Sequence, residues 1–234
     1  LYNNNNKIRK NFMDIEKTKK FFKKNLKWII VFICLVLFLD ITRHVFRKEI
    51  MKRDIIGYQF ISTYFISDFA TPIAKCITQL GGVIALISFA TILFITIKNL
   101  RIGFCIYLNL FFVGALNQTL KYIIQRPRPN ELRLIYESGY SFPSGHSMAS
   151  TAFYGFLIYL IYKKVQNKSL KITLIILLAL LIVAIGLSRI YLGVHYTSDV
   201  LGGFLLSISY LTIFTNIIDD FIGTSNLKES NNKE

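Results

Sequence analysis

Two histidines, His146 and His195, stand in polar settings within a chain that is otherwise mostly apolar. His146 closes the tetrapeptide Pro143-Ser144-Gly145-His146, and His195 follows Ser188-Arg189 and precedes Tyr196-Thr197-Ser198-Asp199. Upstream, Lys121 is followed by the repeated pairs Arg126-Pro127 and Arg128-Pro129. Together the three clusters hold what transfer of a phosphoryl group requires: cations for the phosphate oxygens, a nucleophile and a proton donor.

Each cluster can be weighed against a plainer explanation. Lys121 and Arg128 can anchor a helix end at lipid head groups; the functional reading is that an ammonium and a bidentate guanidinium bind nonbridging phosphate oxygens. Because Arg126 repeats the Arg-Pro pair, spacing alone leaves the register between the two arginines open. Ser144 is placed to cap a helix that enters an apolar run, with Gly145 allowing close backbone approach. That could be a capped membrane helix with an interfacial histidine. The same geometry aims free N–H groups and the Ser144 hydroxyl at an anion, and His146, titrating near neutrality, can protonate a leaving oxygen. His195 and Asp199, four apart, are predicted on adjacent turns of one helix, where the carboxylate accepts the imidazole N–H and fixes the other ring nitrogen as the attacking atom. Arg189, six residues ahead of His195, reaches the same phosphate; a salt bridge from Arg189 to Asp199 is the structural alternative.

The elements that must position these groups are membrane helices. The 234 residues are 53% hydrophobic, with a mean hydropathy of +0.46. Six apolar segments can be drawn, at 28–43, 76–97, 102–122, 146–162, 171–190 and 199–218, against a spanning requirement of about 17–25 residues. The expected fold is all-α, a polytopic six-transmembrane helical bundle. Residues 44–75, more polar and then aromatic-rich, suit an interfacial helix or re-entrant hairpin.

The formal charge of +15 concentrates before Trp28, at Lys17, Lys19, Lys20, Lys23, Lys24 and Lys27. Such a run favours cytoplasmic retention and contact with anionic head groups, which accounts for the basic balance without a nucleic-acid partner. Residues 1–27 are accordingly read as a basic cytoplasmic segment, 28–218 as the membrane domain and 219–234 as a cytoplasmic polar tail. The Asn-rich residues 1 to about 20 are expected to be disordered, with Met13 the expected start. The first apolar run is read as an uncleaved signal anchor, since Thr42-Arg43-His44 follows it. Cys34, Cys76 and Cys105 show no paired spacing, so neither a disulfide framework nor a metal site is read from them.

Lys98 with Arg101, and Lys163, Lys164, Lys168 and Lys171, fall on the side of the basic N-terminus. The positive-inside bias therefore puts both termini in the cytoplasm, although the basic residues Arg47 to Arg53 weigh weakly against it. The Lys121–Arg128 and Pro143–His146 clusters lie at the two ends of one loop, and two further crossings bring Arg189, His195 and Asp199 back to that side. All three clusters converge on one face, and that face is extracytoplasmic.

These motifs resemble the signature of the type 2 phosphatidic acid phosphatase family, which also holds bacterial undecaprenyl-diphosphate and phosphatidylglycerophosphate phosphatases and the vanadium-dependent haloperoxidases. Lys121 with Arg128-Pro129, then Pro143-Ser144-Gly145-His146, then Ser188-Arg189 with His195 and Asp199 fill every signature position, which settles the register on Arg128. The resemblance implies that His195 attacks phosphorus and becomes a phosphohistidine, that Asp199 orients it, and that His146 protonates the departing oxygen and later activates water. It implies that Lys121, Arg128, Ser144, Gly145 and Arg189 bind the phosphate, that no metal or other cofactor takes part, and that the substrate is a lipid mono- or diphosphate in the cell membrane. Six membrane segments set the chain apart from a haloperoxidase. A phosphotransferase of the same fold, or a noncatalytic lipid-phosphate binding or transport protein, is the competing expectation.

Overall fold

The computed structural model describes residues 2–48, 50–97, 99–130 and 133–223, with side chains described from residue 24 onward; most of the expected polar tail, 224–234, lies outside the described residues. Within them are eight helices and no strand: α1 (Tyr2–Phe46), α2 (Lys52–Tyr64), α3 (Ala70–Gln79), α4 (Val83–Thr96), α5 (Leu100–Ile124), α6 (Gly145–Lys164), α7 (Lys168–Tyr191) and α8 (Thr197–Ile218). Asn99, Ser144 and Asn167 start α5, α6 and α7 by accepting backbone N–H groups of the first turn, the groups no helix can satisfy internally.

The helices depart from the sequence expectations in three places. Residues expected to be disordered before residue 20 are helical. No glycine or proline interrupts Tyr2–Phe46, so a helix nucleated by the apolar run propagates back through the basic segment. The second apolar segment is two helices, α3 and α4, bent by 53°; the break falls at Leu80-Gly81-Gly82, where the Tyr154 hydroxyl donates to Leu80 O at 2.8 Å. The third departure concerns the span count.

Four helices are long and apolar enough to cross a membrane, at Lys24–Phe46, Leu100–Ile124, Lys168–Tyr191 and Thr197–Ile218, and the bent α3–α4 pair makes a fifth if taken as one span. The expected fourth segment is a helix, α6, but it falls short in composition. α6 packs against α4, α5, α7 and α8, and a helix enclosed by protein can carry Ser147, Ser150 and Thr151 toward its neighbours instead of apolar groups toward lipid. The opposite pattern marks α7, whose exposed Ile176, Leu177, Leu180, Val183 and Leu187 form an apolar outer surface.

Polar contacts and close approach then tie the helices together. Asn109 Nδ2 donates to Ala152 O at 2.8 Å, and the Tyr210 hydroxyl donates to Asn109 O at 3.0 Å, joining α5 to α6 and α8 within the bundle. A Cβ at Gly203 would meet Ser147 Cβ at 3.0 Å and Ser144 O at 3.1 Å, so α8 reaches the start of α6 only because position 203 is glycine. At the far end of the bundle Lys163 Nζ meets the Asp219 carboxylate at 2.9 and 3.0 Å. The stretch 44–75 takes in the end of α1, then α2 and the first half of α3, and α2 and α3 pack on α7.

Candidate active site

The C-terminus of α5, the loop residues 125–130 and 133–144, the N-terminus of α6, the C-terminus of α7 and the turn 192–196 meet at one end of the bundle. The loop is fastened by Ser141 N donating to Arg126 O at 2.9 Å and Ser144 N to Asp199 O at 3.0 Å. Phe142, fully buried, stacks on Phe38 of α1 with ring centroids 5.8 Å apart.

His195 sits at the centre, 3% exposed. Its Nδ1 lies 3.4 Å from Asp199 Oδ2, and its Nε2 lies 3.2 Å from Arg128 Nη1. The first contact assigns the proton to Nδ1 and leaves Nε2 with its lone pair. Burial first, then the cations Arg189, Arg128 and Lys121, hold the imidazole well below its usual range, so it stays neutral near pH 7. A neutral imidazole oriented by a carboxylate and faced by a guanidinium can attack an electrophile that carries anionic oxygens.

The pair does not sit on successive turns of one helix, as the spacing predicts. Tyr196 is the N-cap of α8, so His195 lies just before the helix and Asp199 in its first turn. Asp199 Oδ2 also accepts from Tyr196 N at 2.9 Å, closing a reciprocal cap across the helix start. The carboxylate thus fixes both the imidazole and the backbone that carries it.

Two arginines line the other side. Arg128 donates to Val194 O at 2.9 Å, to Gly139 O at 3.1 Å and to Ser138 O at 3.0 Å. Arg189, 1% exposed, donates to Thr78 Oγ1 at 2.8 Å and to Glu137 Oε1 at 2.5 Å, and its buried Nε has no partner. Glu137 Oε2 lies 3.9 Å from Arg128 Nη2, so this carboxylate spans both guanidinium groups. Burial raises the Glu137 carboxyl, but the bond and charge of Arg189 prevail and hold it below the usual carboxylate range. The alternative salt bridge between Arg189 and Asp199 is absent; Asp199 Oδ1 pairs with Arg126 at 2.6 Å instead.

The remaining predicted residues gather at the same end. Ser144 caps α6, its Oγ accepting from Ser147 Oγ at 3.1 Å. A Cβ on Gly145 would stand 3.1 Å from Asn117 Oδ1 and 3.9 Å from Lys121 Nζ, which locates the ammonium beside the start of α6. His146 lies against the α3–α4 break, where a Cβ on Gly81 would meet its Cδ2 at 3.4 Å. Nothing in the sequence singles out Glu137, Thr78 or Asp54. Arg126 appears there only as a rival to Arg128, and the two have separate places, Arg128 beside His195 and Arg126 on Asp199.

A family model described as the PAP2 superfamily matches residues 99–222. The chain belongs to the PAP2 superfamily. Among related PAP2 proteins, phosphatidylglycerophosphatase B of Bacillus subtilis (strain 168) is 43% identical over 94 residues, covering 40% of this chain and 46% of its own. Sphingosine-1-phosphate phosphatase 1 of Rattus norvegicus is 39% identical over 112 residues, 46% of this chain and 26% of the rat protein. The chain thus spans about half the length of the first of these relatives and about a quarter of the second. The crystal structure of the first transmembrane PAP2 type phosphatidylglycerolphosphate phosphatase from Bacillus subtilis superposes with a TM-score of 0.72 at 27% identity, covering 81% of this chain and 96% of that one. With several apolar helices and these membrane relatives, this PAP2 chain is a multi-pass membrane protein. Every predicted site residue lies within the matched stretch; Asp54 does not.

Proposed function

We propose that this PAP2 protein is a metal-independent lipid phosphate phosphatase that works through a phosphohistidine. The observation that carries this reading is His195, neutral and buried, with Nδ1 at Asp199 and Nε2 3.2 Å from Arg128. The substrate phosphate takes the place of the Glu137 carboxylate between Arg128 and Arg189, with Lys121, the Ser144 hydroxyl and the N–H groups at the start of α6 completing its anion contacts. His195 Nε2 attacks phosphorus as the lipid oxygen leaves, and His146 donates the proton that oxygen needs. Asp199 stabilises the positive charge the ring acquires. Water then attacks the phosphohistidine, giving its proton to His146, and releases inorganic phosphate and free His195. Lys121, Arg128 and Arg189 supply the positive charge that stabilises the transferring group, the contribution that usually dominates phosphoryl transfer.

The substrate class is a lipid mono- or diphosphate, such as phosphatidic acid, phosphatidylglycerophosphate or undecaprenyl diphosphate, presented from the outer leaflet with its chains between helices. The test is protein purified in detergent and assayed for phosphate release against these three lipids. Turnover of at least one is expected, undiminished by EDTA and inhibited by vanadate, which copies pentacoordinate phosphorus. Activity lost to EDTA and restored by Mg²⁺ overturns the mechanism, and phosphate passed to a second acceptor rather than to water identifies a transferase.

The site is assigned to the extracytoplasmic face of the cell membrane, with both termini cytoplasmic and six crossings, α6 being a protein-enclosed one and the bent α3–α4 pair another. The lysines at 163, 164, 168 and 171 lie around the α6–α7 turn, at the helix ends away from the site, and support this orientation. In a variant lacking Cys34, Cys76 and Cys105, a cysteine at Ser138 is expected to react with an impermeant thiol reagent in intact cells. One at Asn167 is expected to react only after lysis. The reverse pattern moves the site to the cytoplasm.

A further inference from the structure

Four groups from three parts of the chain close a buried circuit beside the reacting pair. Arg126 Nη2 donates to Asp54 Oδ2 at 2.8 Å, and Arg126 Nη1 donates to Asp199 Oδ1 at 2.6 Å and to Ser198 Oγ at 2.7 Å. The other Asp54 oxygen, Oδ1, accepts from Ser198 N at 2.8 Å. Asp54 is 2% exposed, Arg126 6% and Asp199 0%, and the Arg126 guanidinium lies 4.0 Å over the Tyr196 ring. One turn beyond Asp54, a Cβ on Gly57 would stand 2.1 Å from Thr197 Oγ1, so α2 meets the start of α8 as closely as a bare backbone allows.

Two consequences follow from electrostatics and helix chemistry. A single guanidinium paired only with Asp199 would neutralise it, leaving His195 a weak partner in a site already crowded with cations. Shared between two carboxylates, Arg126 leaves the trio one negative charge in excess, and that charge is available to the imidazole as it becomes cationic. Asp54 also satisfies the Ser198 N–H in the first turn of α8, which no backbone carbonyl of that helix can accept, and so fixes the helix end that carries Asp199.

We propose that Asp54 is a positioning residue for catalysis, acting through Arg126 to orient Asp199 and preserve its charge for His195. This makes α2, outside the stretch matched by the family model, part of the catalytic apparatus. The proposal rests on the reading of His195 and Asp199 as the reacting pair.

A double-mutant cycle on kcat tests it, using the protein in detergent with, as the probe, whichever of phosphatidic acid, phosphatidylglycerophosphate and undecaprenyl diphosphate the wild type dephosphorylates fastest. Asp54→Asn is expected to lower kcat about 10–100-fold, the range shown by outer partners of ligating histidines, with KM changed less than about threefold, and Asp54→Glu to recover part of the loss. In an Asp199→Asn background the same change is expected to cost less than about threefold more, because the partner it acts through is gone. Unchanged kcat in folded Asp54→Asn, or losses that multiply in the double variant, overturns the proposal even if both singles are less stable. Should Asp54→Asn not fold, Arg126→Lys runs the same cycle, since a lysine keeps the charge but not the fork that reaches both carboxylates. If wild-type protein releases phosphate from none of the three lipids, the functional reading fails; if wild type turns over and the cycle is additive, only the role of Asp54 fails.

Discussion

Purified His195→Ala is expected to release no measurable phosphate from any lipid that the wild-type protein dephosphorylates. The alanine removes the atom proposed to form the covalent bond, so the loss should match that for deleting a nucleophile elsewhere, about 10⁶-fold in kcat. Asp199→Asn is expected to keep a small residue of activity, reduced about 10⁴-fold, the scale seen when an amide replaces the carboxylate that holds a catalytic imidazole. Here the amide would also disturb the cap at Tyr196 N and the pair with Arg126, so a larger loss than a tautomer change alone is consistent with the geometry. Substantial turnover by folded His195→Ala sinks the phosphohistidine mechanism.

The second expectation is a pair of changes of opposite sign around the anion cradle. Arg189→Ala is expected to lower kcat/KM about 10²–10³-fold, the loss of one preorganised donor to developing charge. Arg189→Lys should recover little, because an ammonium cannot hold Thr78 Oγ1 at 2.8 Å and reach the anion at the same time. Glu137→Gln should do the reverse for anions, lowering several-fold the concentration of inorganic phosphate or vanadate that half-inhibits the enzyme. A Glu137→Gln protein that binds phosphate more weakly than wild type would show that the carboxylate assists the anion and does not compete with it.

Much of this site is legible in the sequence because its residues are close-set and carry chemistry at each position. His195 and Asp199 are four residues apart, and Ser144 prefixes the helix that carries His146, so local spacing suffices to group them. Asp54 is invisible there for the opposite reason: it meets Arg126 across 72 residues and Ser198 across 144, and an aspartate in a mixed polar segment carries no mark of the buried arginine it will pair with. Glu137 is equally unmarked within its loop. The expected placement of His195 fails on a boundary, since Tyr196 is not among the residues that usually start a helix. The break in the second apolar segment is signalled by Gly81-Gly82, a pair that outweighs the continuity of the hydrophobic run around it. α6 is already weak as an apolar span in its sequence, where Ser147, Ser150 and Thr151 interrupt the run; what the sequence does not show is that four other helices enclose it.

Glu137 gives the pocket a tethered competitor. Its carboxylate bridges Arg189 and Arg128, so a phosphate bound there as proposed would show its intrinsic dissociation constant divided by the fraction of time the carboxylate is away. A substrate whose chains are anchored in the bilayer can meet that condition with binding energy from its tail. Inorganic phosphate, the product, has no tail to contribute. Under the proposed function the carboxylate raises every anion's dissociation constant by the same factor, so a lipid phosphate keeps useful affinity through its tail while the product's weaker hold falls further, and the carboxylate's return after hydrolysis would displace the product.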